Sequence, residues 1–259
     1  MIHAYIDGLM VREVASEASN PVVLYIHGLG ESSLCFQNTM ERLTHLPIRQ
    51  IAPDLPGYGR SPWPETPLSL DDCADLLDRW LGSVTPGPVV LIGHSMGGVL
   101  GQIICEKYPR RVKGFINVEG NISIGDCAFS GQVVSNDGPD FATRGFEGIQ
   151  QRVLKKGLES PALAGYFASM RFADPMQFRR NSYDLVEASK PETLGERMSA
   201  LSIPVHYIAG RPGGATLRSI ELLEQAGVPC SILSPSSHWP FIDQPLAFDA
   251  CIESFLGQL

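Results

Sequence analysis

Residues 89–99 read VVLIGHSMGGV. An apolar run that suits a buried strand leads into Gly93-His94-Ser95-Met96-Gly97, and a helical pattern follows. A G-x-S-x-G turn between a strand and a helix forces its serine into a cramped backbone conformation, and glycines two residues to either side leave space for it. We therefore expect an exposed hydroxyl on Ser95, beside the backbone N–H groups and the positive dipole end of the helix that begins at Met96.

A serine hydroxyl is a poor nucleophile at neutral pH and needs a base to take its proton. The histidines of the chain are His3, His27, His45, His94, His206 and His238. His94 adjoins Ser95 but would point away from it where a strand enters a turn, and His206 sits inside a predicted strand. His238 lies in the polar loop 234–240, after the last predicted strand, and loops at the carboxyl ends of parallel strands are where such a sheet gathers its site. We therefore predict that His238 is the general base.

Short apolar runs on both sides of the quoted stretch predict further strands. They cover residues 22–26, 88–92, 114–118, 205–209 and 230–233, and residues 2–15 alternate in polarity around Asp7-Gly8 as a hairpin would. Helical patterns cover roughly residues 33–45, 70–82, 96–107, 217–226 and 243–256, the last opening with Asp243 as an N-cap region. Because strands and helices alternate, the sequence predicts an α/β fold with a mostly parallel sheet flanked by helices.

The alternation fails between residues 121 and 197, where helical fragments such as 148–158 and 161–172 are interrupted by Gly, Ser and Asp. The segment carries the aromatic residues Phe129, Phe141, Phe146, Tyr166, Phe167 and Phe172. A long insertion in a compact fold often serves as a lid over a site. We predict a core formed by residues 1–120 and 198–259 with a helical cap at 121–197. The alternative, a helical subdomain that completes the core, is compatible with a role as a lid.

The composition limits the classes of partner. A net charge of −8 over 259 residues disfavours nucleic acid and anionic membrane surfaces and favours a small-molecule substrate. The six cysteines are scattered, with no CxxC pair and no Cys/His cluster, which indicates reduced thiols in the cytoplasm and no metal site. The first residues do not resemble a signal peptide, and no run approaches the ~20 apolar residues that span a bilayer.

Four pieces of the sequence together resemble the α/β-hydrolase family, in its serine-nucleophile, carboxylesterase-like branch. They are the elbow around Ser95, His27-Gly28-Leu29-Gly30, the stretch DLPGYGRS at 54–61, and Ser237-His238-Trp239-Pro240. The resemblance implies a sheet of about eight strands with a cap inserted after strand 6, where residues 121–197 fall. It also implies an oxyanion hole formed by the backbone N–H groups of Leu29 and Met96, and a loop-shaping role for His27. Trp239, beside the base, would line the pocket or pack.

The sequence departs from the family pattern at the triad acid. The family usually carries an Asp after strand 7, but residues 210–215 read GRPGGA and hold no carboxylate. A triad still needs an acid to hold the imidazole in the right tautomer. Glu119, at the end of strand 6, stands where some family members carry theirs. We predict that Glu119 orients His238, with Asp126 and Asp243 as rivals.

The elbow serine excludes the dehalogenase and epoxide hydrolase members, which place an Asp there. The leading hypothesis is a serine hydrolase that cleaves carboxylic esters of small to medium, partly apolar substrates through an acyl-enzyme on Ser95. Hydrolysis of C–C bonds, lactones, amides or thioesters on the same scaffold stays open, as does a ligand-binding homologue without turnover. No cofactor is predicted, because the site generates its own nucleophile and the sequence shows no dinucleotide-binding turn.

Overall fold

The computed structural model describes residues 1–17, 21–135 and 138–259, and one β-sheet runs through its centre. The strands are β1 (Ile2–Ile6), β2 (Leu9–Val14), β3 (Val22–Ile26), β4 (Arg49–Pro53), β5 (Val89–His94), β6 (Val112–Val118), β7 (Val205–Gly213) and β8 (Cys230–Ser237). Their spatial order is β1-β2-β4-β3-β5-β6-β7-β8. β2 is antiparallel to β1 and to β4, and the other neighbouring strands are parallel. The predicted mostly parallel sheet of about eight strands is confirmed.

The central strands are buried on both faces of the sheet, as their continuous apolar runs require. Every residue of β3 and of β5 is buried. Helices cover both faces of a parallel sheet, so its central strands have no polar side. β1 is different, because it lies at the edge of the sheet and is mostly exposed. The predicted hairpin turn between β1 and β2 is confirmed, with φ of 47° at Asp7 and 88° at Gly8.

The helices predicted at residues 70–82, 96–107 and 217–226 begin and end close to those positions. The helices of the described residues are α1 (Gln37–Arg42), α2 (Leu70–Val84), α3 (Met96–Lys107), α4 (Ala128–Ser135), α5 (Phe146–Gly157), α6 (Pro161–Met170), α7 (Pro175–Ser189), α8 (Leu194–Ser199), α9 (Leu217–Ala226), α10 (Pro240–Asp243) and α11 (Pro245–Leu256). The first turn of α2 illustrates how side chains determine the residue at which a helix begins. Ser69 accepts a hydrogen bond from the Asp72 N–H, and the Asp72 side chain accepts one from the Ser69 N–H, which satisfies two free donors. None of the helices in residues 1–17, 21–135 and 138–259 combines the length and the apolar character that a bilayer-spanning helix needs.

The segment between β6 and β7 is helical and contains α4 to α8. Its side chains form an apolar cluster around Phe178, whose ring contacts Phe129 at 6.0 Å and Phe146 at 5.0 Å between centroids. The segment also packs on the loop after β3, since a Cβ atom on Gly30 would lie 2.8 Å from the Phe178 ring. The division of the chain at 120/121 and 197/198 stays a prediction, and the second position lies within α8.

Two predicted helices differ from the structure. The stretch 33–45 is divided into a 3₁₀ turn (Ser33–Phe36), α1 and a second 3₁₀ turn (Leu43–His45). The predicted N-cap role of Asp243 is wrong, because Asp243 ends α10 and the N-cap position of α11 is occupied by Gln244. Its carboxylate instead accepts a hydrogen bond of 2.7 Å from the Ser237 N–H. A proline at position 245 explains the break, since proline suits the first turn of a helix and has no N–H to continue the preceding one.

Candidate active site

Ser95 lies in a sharp turn between β5 and α3. Its φ of 53° and ψ of −117° belong to a region that residues with a side chain rarely occupy. Two hydrogen bonds of 2.8 Å hold the turn, one from the Ser95 N–H to the Val118 carbonyl and one from the Gly98 N–H to the Ser95 carbonyl. The side chain is half-buried and lines a pocket. The cramped backbone conformation predicted for this serine is confirmed.

The glycines on either side of Ser95 are required by close backbone approaches. A Cβ atom on Gly97 would lie 2.1 Å from the Ile26 carbonyl oxygen, and one on Gly93 would lie 2.1 Å from the Gly97 carbonyl oxygen. Both neighbours are backbone atoms that cannot rotate away. Any side chain here would push β3, β5 and the start of α3 apart, so the turn requires glycine at both positions.

His238 and Glu119 are 119 positions apart in the sequence but are in contact in the fold. Nδ1 of His238 lies 3.0 Å from Oε2 of Glu119. The Glu119 side chain is only 1% exposed, whereas that of His238 is 35% exposed and lines the same pocket as Ser95. Because a carboxylate only accepts, Nδ1 carries the proton and Nε2 is left as an acceptor. Ser95 and His238 thus line one pocket, and Glu119 contacts His238.

The glycine-rich loop after β7 makes room for Glu119. The Gly210 N–H donates a hydrogen bond of 2.5 Å to Oε1 of Glu119, and a Cβ atom on Gly214 would lie 2.4 Å from that oxygen. Glu119 itself has a φ of 56°, and its N–H donates to the Ile208 carbonyl at 3.0 Å. The loop after β7, which has no carboxylate of its own, therefore provides a hydrogen-bond donor and space for the carboxylate of Glu119, directly after β6.

The two rival acids hold other parts of the chain. Asp126 accepts hydrogen bonds from the Ser219 hydroxyl at 2.6 Å and from the Thr216 N–H at 3.2 Å, which ties the start of the inserted segment to α9. Asp243 binds the backbone of Ser237, as described above. Within residues 1–17, 21–135 and 138–259, Glu119 is the carboxylate that hydrogen-bonds His238.

The surroundings of His238 favour its protonated form. Burial lowers the pKa of His238, but the hydrogen bond and the charge of Glu119, with smaller contributions from the charges of Glu31 and Asp126, outweigh burial and raise the pKa above the usual histidine value. A base with a raised pKa holds a proton more firmly once it has accepted it. The arrangement therefore suits a group that takes a proton during a reaction and stabilises the resulting imidazolium.

Leu29 and Met96 present backbone N–H groups from two different loops. Leu29 lies in the turn after β3 and lines the pocket, and Met96 is the first residue of α3, directly after Ser95. In the described parts of the chain neither N–H donates a hydrogen bond to another protein group. The first N–H groups of a helix have no partner inside the helix and attract negative charge. Both N–H groups are therefore without a protein acceptor among the described residues, and their role as oxyanion donors stays a prediction.

A buried carboxylate that the sequence analysis missed, Glu31, joins three loops of the site. It accepts hydrogen bonds of 2.7 Å from the Gly28 N–H, from Nδ1 of His94 and from Nε1 of Trp239. Burial alone would raise its pKa, but His94 and the hydrogen bonds lower the pKa of Glu31 to about 2. Nε2 of His94 lies 2.8 Å from the His238 carbonyl oxygen. The only signal in the sequence was an acidic residue directly after His27-Gly28-Leu29-Gly30.

His27 is fully buried beneath the same loop. Its Nδ1 lies 2.8 Å from the Gly28 carbonyl oxygen, and its Nε2 accepts a hydrogen bond from the Leu55 N–H at 3.0 Å. Burial lowers the pKa of His27, so the ring stays neutral and joins the turn after β3 to the turn after β4. These contacts match the loop-shaping role predicted for His27.

The pocket has a volume of about 430 Å³, within the usual range for small-molecule sites. Phe129 and Tyr166 from the inserted segment line it, together with Trp239, whose ring lies 5.5 Å from that of Tyr166. Other predicted cap aromatics do not line the pocket. Phe141 and Phe146 are buried inside the inserted segment, and Phe172 is 61% exposed. In the described residues no group of three or more His, Cys, Asp or Glu side chains is placed to hold a metal ion.

The fold and this site define a class of protein, and comparison with known proteins agrees. The model of the alpha/beta hydrolase family matches residues 23–250, and the chain belongs to that family.

Individual relatives are more distant. Lipase LipV of Mycobacterium tuberculosis is 33% identical over 102 residues, which cover 39% of this chain and 38% of that protein. The chain spans at most two fifths of the length of the first curated relatives it matches. Pimeloyl-(acyl-carrier protein) methyl ester esterase of Cronobacter sakazakii is 26% identical over 245 residues, 87% of this chain and 89% of the esterase. The enol-lactonase from Burkholderia xenovorans superimposes with a TM-score of 0.80 at 19% identity, over 99% of this chain and 100% of the lactonase, and shares the fold.

Proposed function

We propose that this protein is a serine hydrolase that cleaves carboxylic esters through an acyl-enzyme on Ser95. His238 is the general base in this proposal, and Glu119 orients it. The observation that carries the proposal is the 3.0 Å contact between Nδ1 of His238 and Oε2 of Glu119, at the pocket that Ser95 lines. This contact leaves Nε2 of His238 as the acceptor that a serine hydroxyl requires.

The first half of the proposed reaction forms the acyl-enzyme. The Ser95 hydroxyl oxygen attacks the ester carbonyl carbon while Nε2 of His238 takes its proton. Negative charge moves to the carbonyl oxygen, where the N–H groups of Leu29 and Met96 bind it. In a measured case, loss of one such donor cost about 2.7 to 4 kcal/mol of transition-state stabilisation. The bond to the alcohol oxygen then breaks, and that oxygen leaves with the proton from His238.

The second half returns the enzyme to its starting state. Nε2 of His238 takes a proton from water, and the water oxygen attacks the acyl carbon. The same two N–H groups hold the second oxyanion. When the bond to Ser95 breaks, the proton returns to the serine oxygen and the carboxylic acid is released. The cycle needs neither a metal nor an organic cofactor, because the protein supplies nucleophile, base and oxyanion donors.

The pocket supports small to medium, partly apolar substrates. The pocket has a volume of about 430 Å³, and Phe129, Leu163 and Tyr166 of the inserted segment are among the residues that line it. Apolar walls with a few placed polar groups are usual for small-molecule sites. All six cysteines are free thiols, as the reducing cytoplasm proposed for this protein would keep them.

The proposal is tested with p-nitrophenyl acetate and p-nitrophenyl butyrate, using the wild type and Ser95→Ala. We expect turnover by the wild type and none above background by the variant. Incubation with a fluorophosphonate probe should add one adduct to the wild type, on Ser95, as measured by intact mass and peptide mapping. An unlabelled wild type without turnover would show that Ser95 is not activated and would favour a ligand-binding protein. Turnover retained by Ser95→Ala would also overturn the proposal.

A further inference from the structure

Two basic side chains of the inserted segment line the pocket that Ser95 lines. Arg152 and Lys156 are four residues apart on α5, so they lie on the same face of that helix. Both are exposed, and in the described parts of the chain neither forms an ion pair or a hydrogen bond. Two cations side by side without a counter-ion repel each other, and an anion placed between them would relieve that repulsion.

The carboxylates that line the pocket, Glu31 and Asp126, form no ion pair with these cations in the described parts of the chain. Glu31 is engaged by Gly28, His94 and Trp239, and Asp126 is engaged by the loop and helix at residues 216–219. The hydrogen-bonding partners of both acids are therefore residues other than Arg152 and Lys156. The chain as a whole carries a net charge of −8. Two neighbouring cations without ion-pair partners at a pocket are therefore a local exception to the negative charge of the molecule.

We propose that Arg152 and Lys156 form a subsite for an anionic group of the substrate, a carboxylate or a phosphonate-like oxyanion on the part remote from the scissile ester. This inference rests on the proposed ester hydrolase function and specifies its substrate class. A guanidinium binds a carboxylate through two parallel N–H bonds, and an ammonium adds a point charge. The apolar side chains of Val153 and Leu163, which also line the pocket, would contact the chain that joins the two ends of such a substrate.

The experiment compares three p-nitrophenyl esters of similar length: the neutral valerate, the glutarate monoester with a terminal carboxylate, and the 4-phosphonobutanoate. The measured quantity is the ratio of kcat/KM for an anionic ester to kcat/KM for the neutral one. We expect a ratio of about ten or more for at least one anion, since a charge-assisted hydrogen bond outweighs a neutral contact by about 1.4 kcal/mol or more. The two anionic esters distinguish carboxylate from phosphonate as the preferred group.

Arg152→Gln/Lys156→Gln should lower that ratio about tenfold or more, and added salt should lower the wild-type ratio because it screens exposed charges. Lys155→Gln is the matched control. Lys155 lies on the same helix and is exposed but does not line the pocket, so its loss removes an equal type of charge and should leave the ratio within about twofold of wild type. A wild-type ratio near one, or a ratio unchanged in the double variant, would overturn the subsite.

A second measurement tests the anion subsite independently of the proposed ester hydrolysis. Calorimetric titration of Ser95→Ala with monomethyl glutarate measures binding without turnover. Binding that weakens about tenfold or more when Arg152 and Lys156 are also replaced supports the subsite even if no ester is hydrolysed. Ester turnover without any preference for anions would uphold the hydrolase and reject the subsite.

Discussion

Glu119→Gln tests the proposed triad at the contact that orients the histidine. In the wild type both carboxylate oxygens accept hydrogen bonds, Oε1 from the Gly210 N–H and Oε2 from Nδ1–H of His238. A glutamine amide has the same shape but only one acceptor oxygen. It cannot serve both donors. The Gly210 N–H is a backbone group that stays a donor, so we expect the amide oxygen to face Gly210.

The amide NH₂ group then faces His238 and requires an acceptor at Nδ1. The imidazole proton is displaced to Nε2, the atom that must take the Ser95 proton in the proposed mechanism. In serine proteases the corresponding Asp→Asn substitution lowers kcat about 10⁴-fold through the wrong tautomer. We expect a loss of about 10⁴ in kcat/KM here, which corresponds to about 5.5 kcal/mol at 1.36 kcal/mol per factor of ten.

The assay is hydrolysis of p-nitrophenyl butyrate, with thermal unfolding measured on every variant to show that it is folded. Asp126→Asn and Asp243→Asn are the matched controls, since each also converts a carboxylate near the site to an amide. The reasoning is refuted if Glu119→Gln stays within about tenfold of wild type, or if a folded control variant loses as much activity.

Three further outcomes are expected. The kcat/KM of the wild type should rise with pH through a midpoint above the usual histidine pKa of about 6.5, because the base must be neutral and Glu119 raises the pKa of His238. A midpoint below about 6.5 in a pH–rate profile would contradict this expectation. Glu31→Gln should reduce the free energy of unfolding at neutral pH by about 2 to 3 kcal/mol, since it weakens hydrogen bonds to a buried charge. The folded-state pKa of Glu31, about 2, is lowered, so its contribution is present above the unfolded value of about 4.3 and is lost as pH falls toward 2. Denaturant unfolding at several pH values checks this, and an equal gap between wild type and variant at every pH would argue against it. Gly97→Ala should lower the melting temperature by roughly 4 °C or more, from about 2 kcal/mol of overpacking. Gly165→Ala, where a Cβ atom meets nothing within 4 Å, should not lower it.

The fold could be predicted from the sequence because its signals are local. The apolar runs of β3 and β5 and the glycines at 93 and 97 each act within a few residues of their own position. The Ser95 turn follows from the same pattern. His238 could be singled out because one histidine occupied the polar loop after the last predicted strand.

The remainder depends on contacts between distant segments. Glu31 was missed because two of its three partners, His94 and Trp239, lie 63 and 208 positions away, and nothing near it in the sequence shows that it is buried. Asp243 was misread as a helix cap because an acid before a helix suits that role, whereas here a neighbouring strand end, Ser237, binds it. The space that Gly210 and Gly214 leave for Glu119 is likewise a product of packing, and the role of Glu119 in catalysis stays a prediction.

The hydrogen bonds by which Glu31 joins three loops have a consequence for the order in which parts of the protein fold. Its partners His94 and Trp239 lie 63 and 208 positions further along the chain, so the network is complete only when β5 and the loop after β8 are both in place. Closing a longer loop costs more chain entropy than closing a short one, and contacts between distant segments slow folding relative to local contacts. We therefore expect local helices and the central strands to form before the contacts of Glu31, and the pocket to be complete only once the segment around Trp239 has packed against the loop after β3.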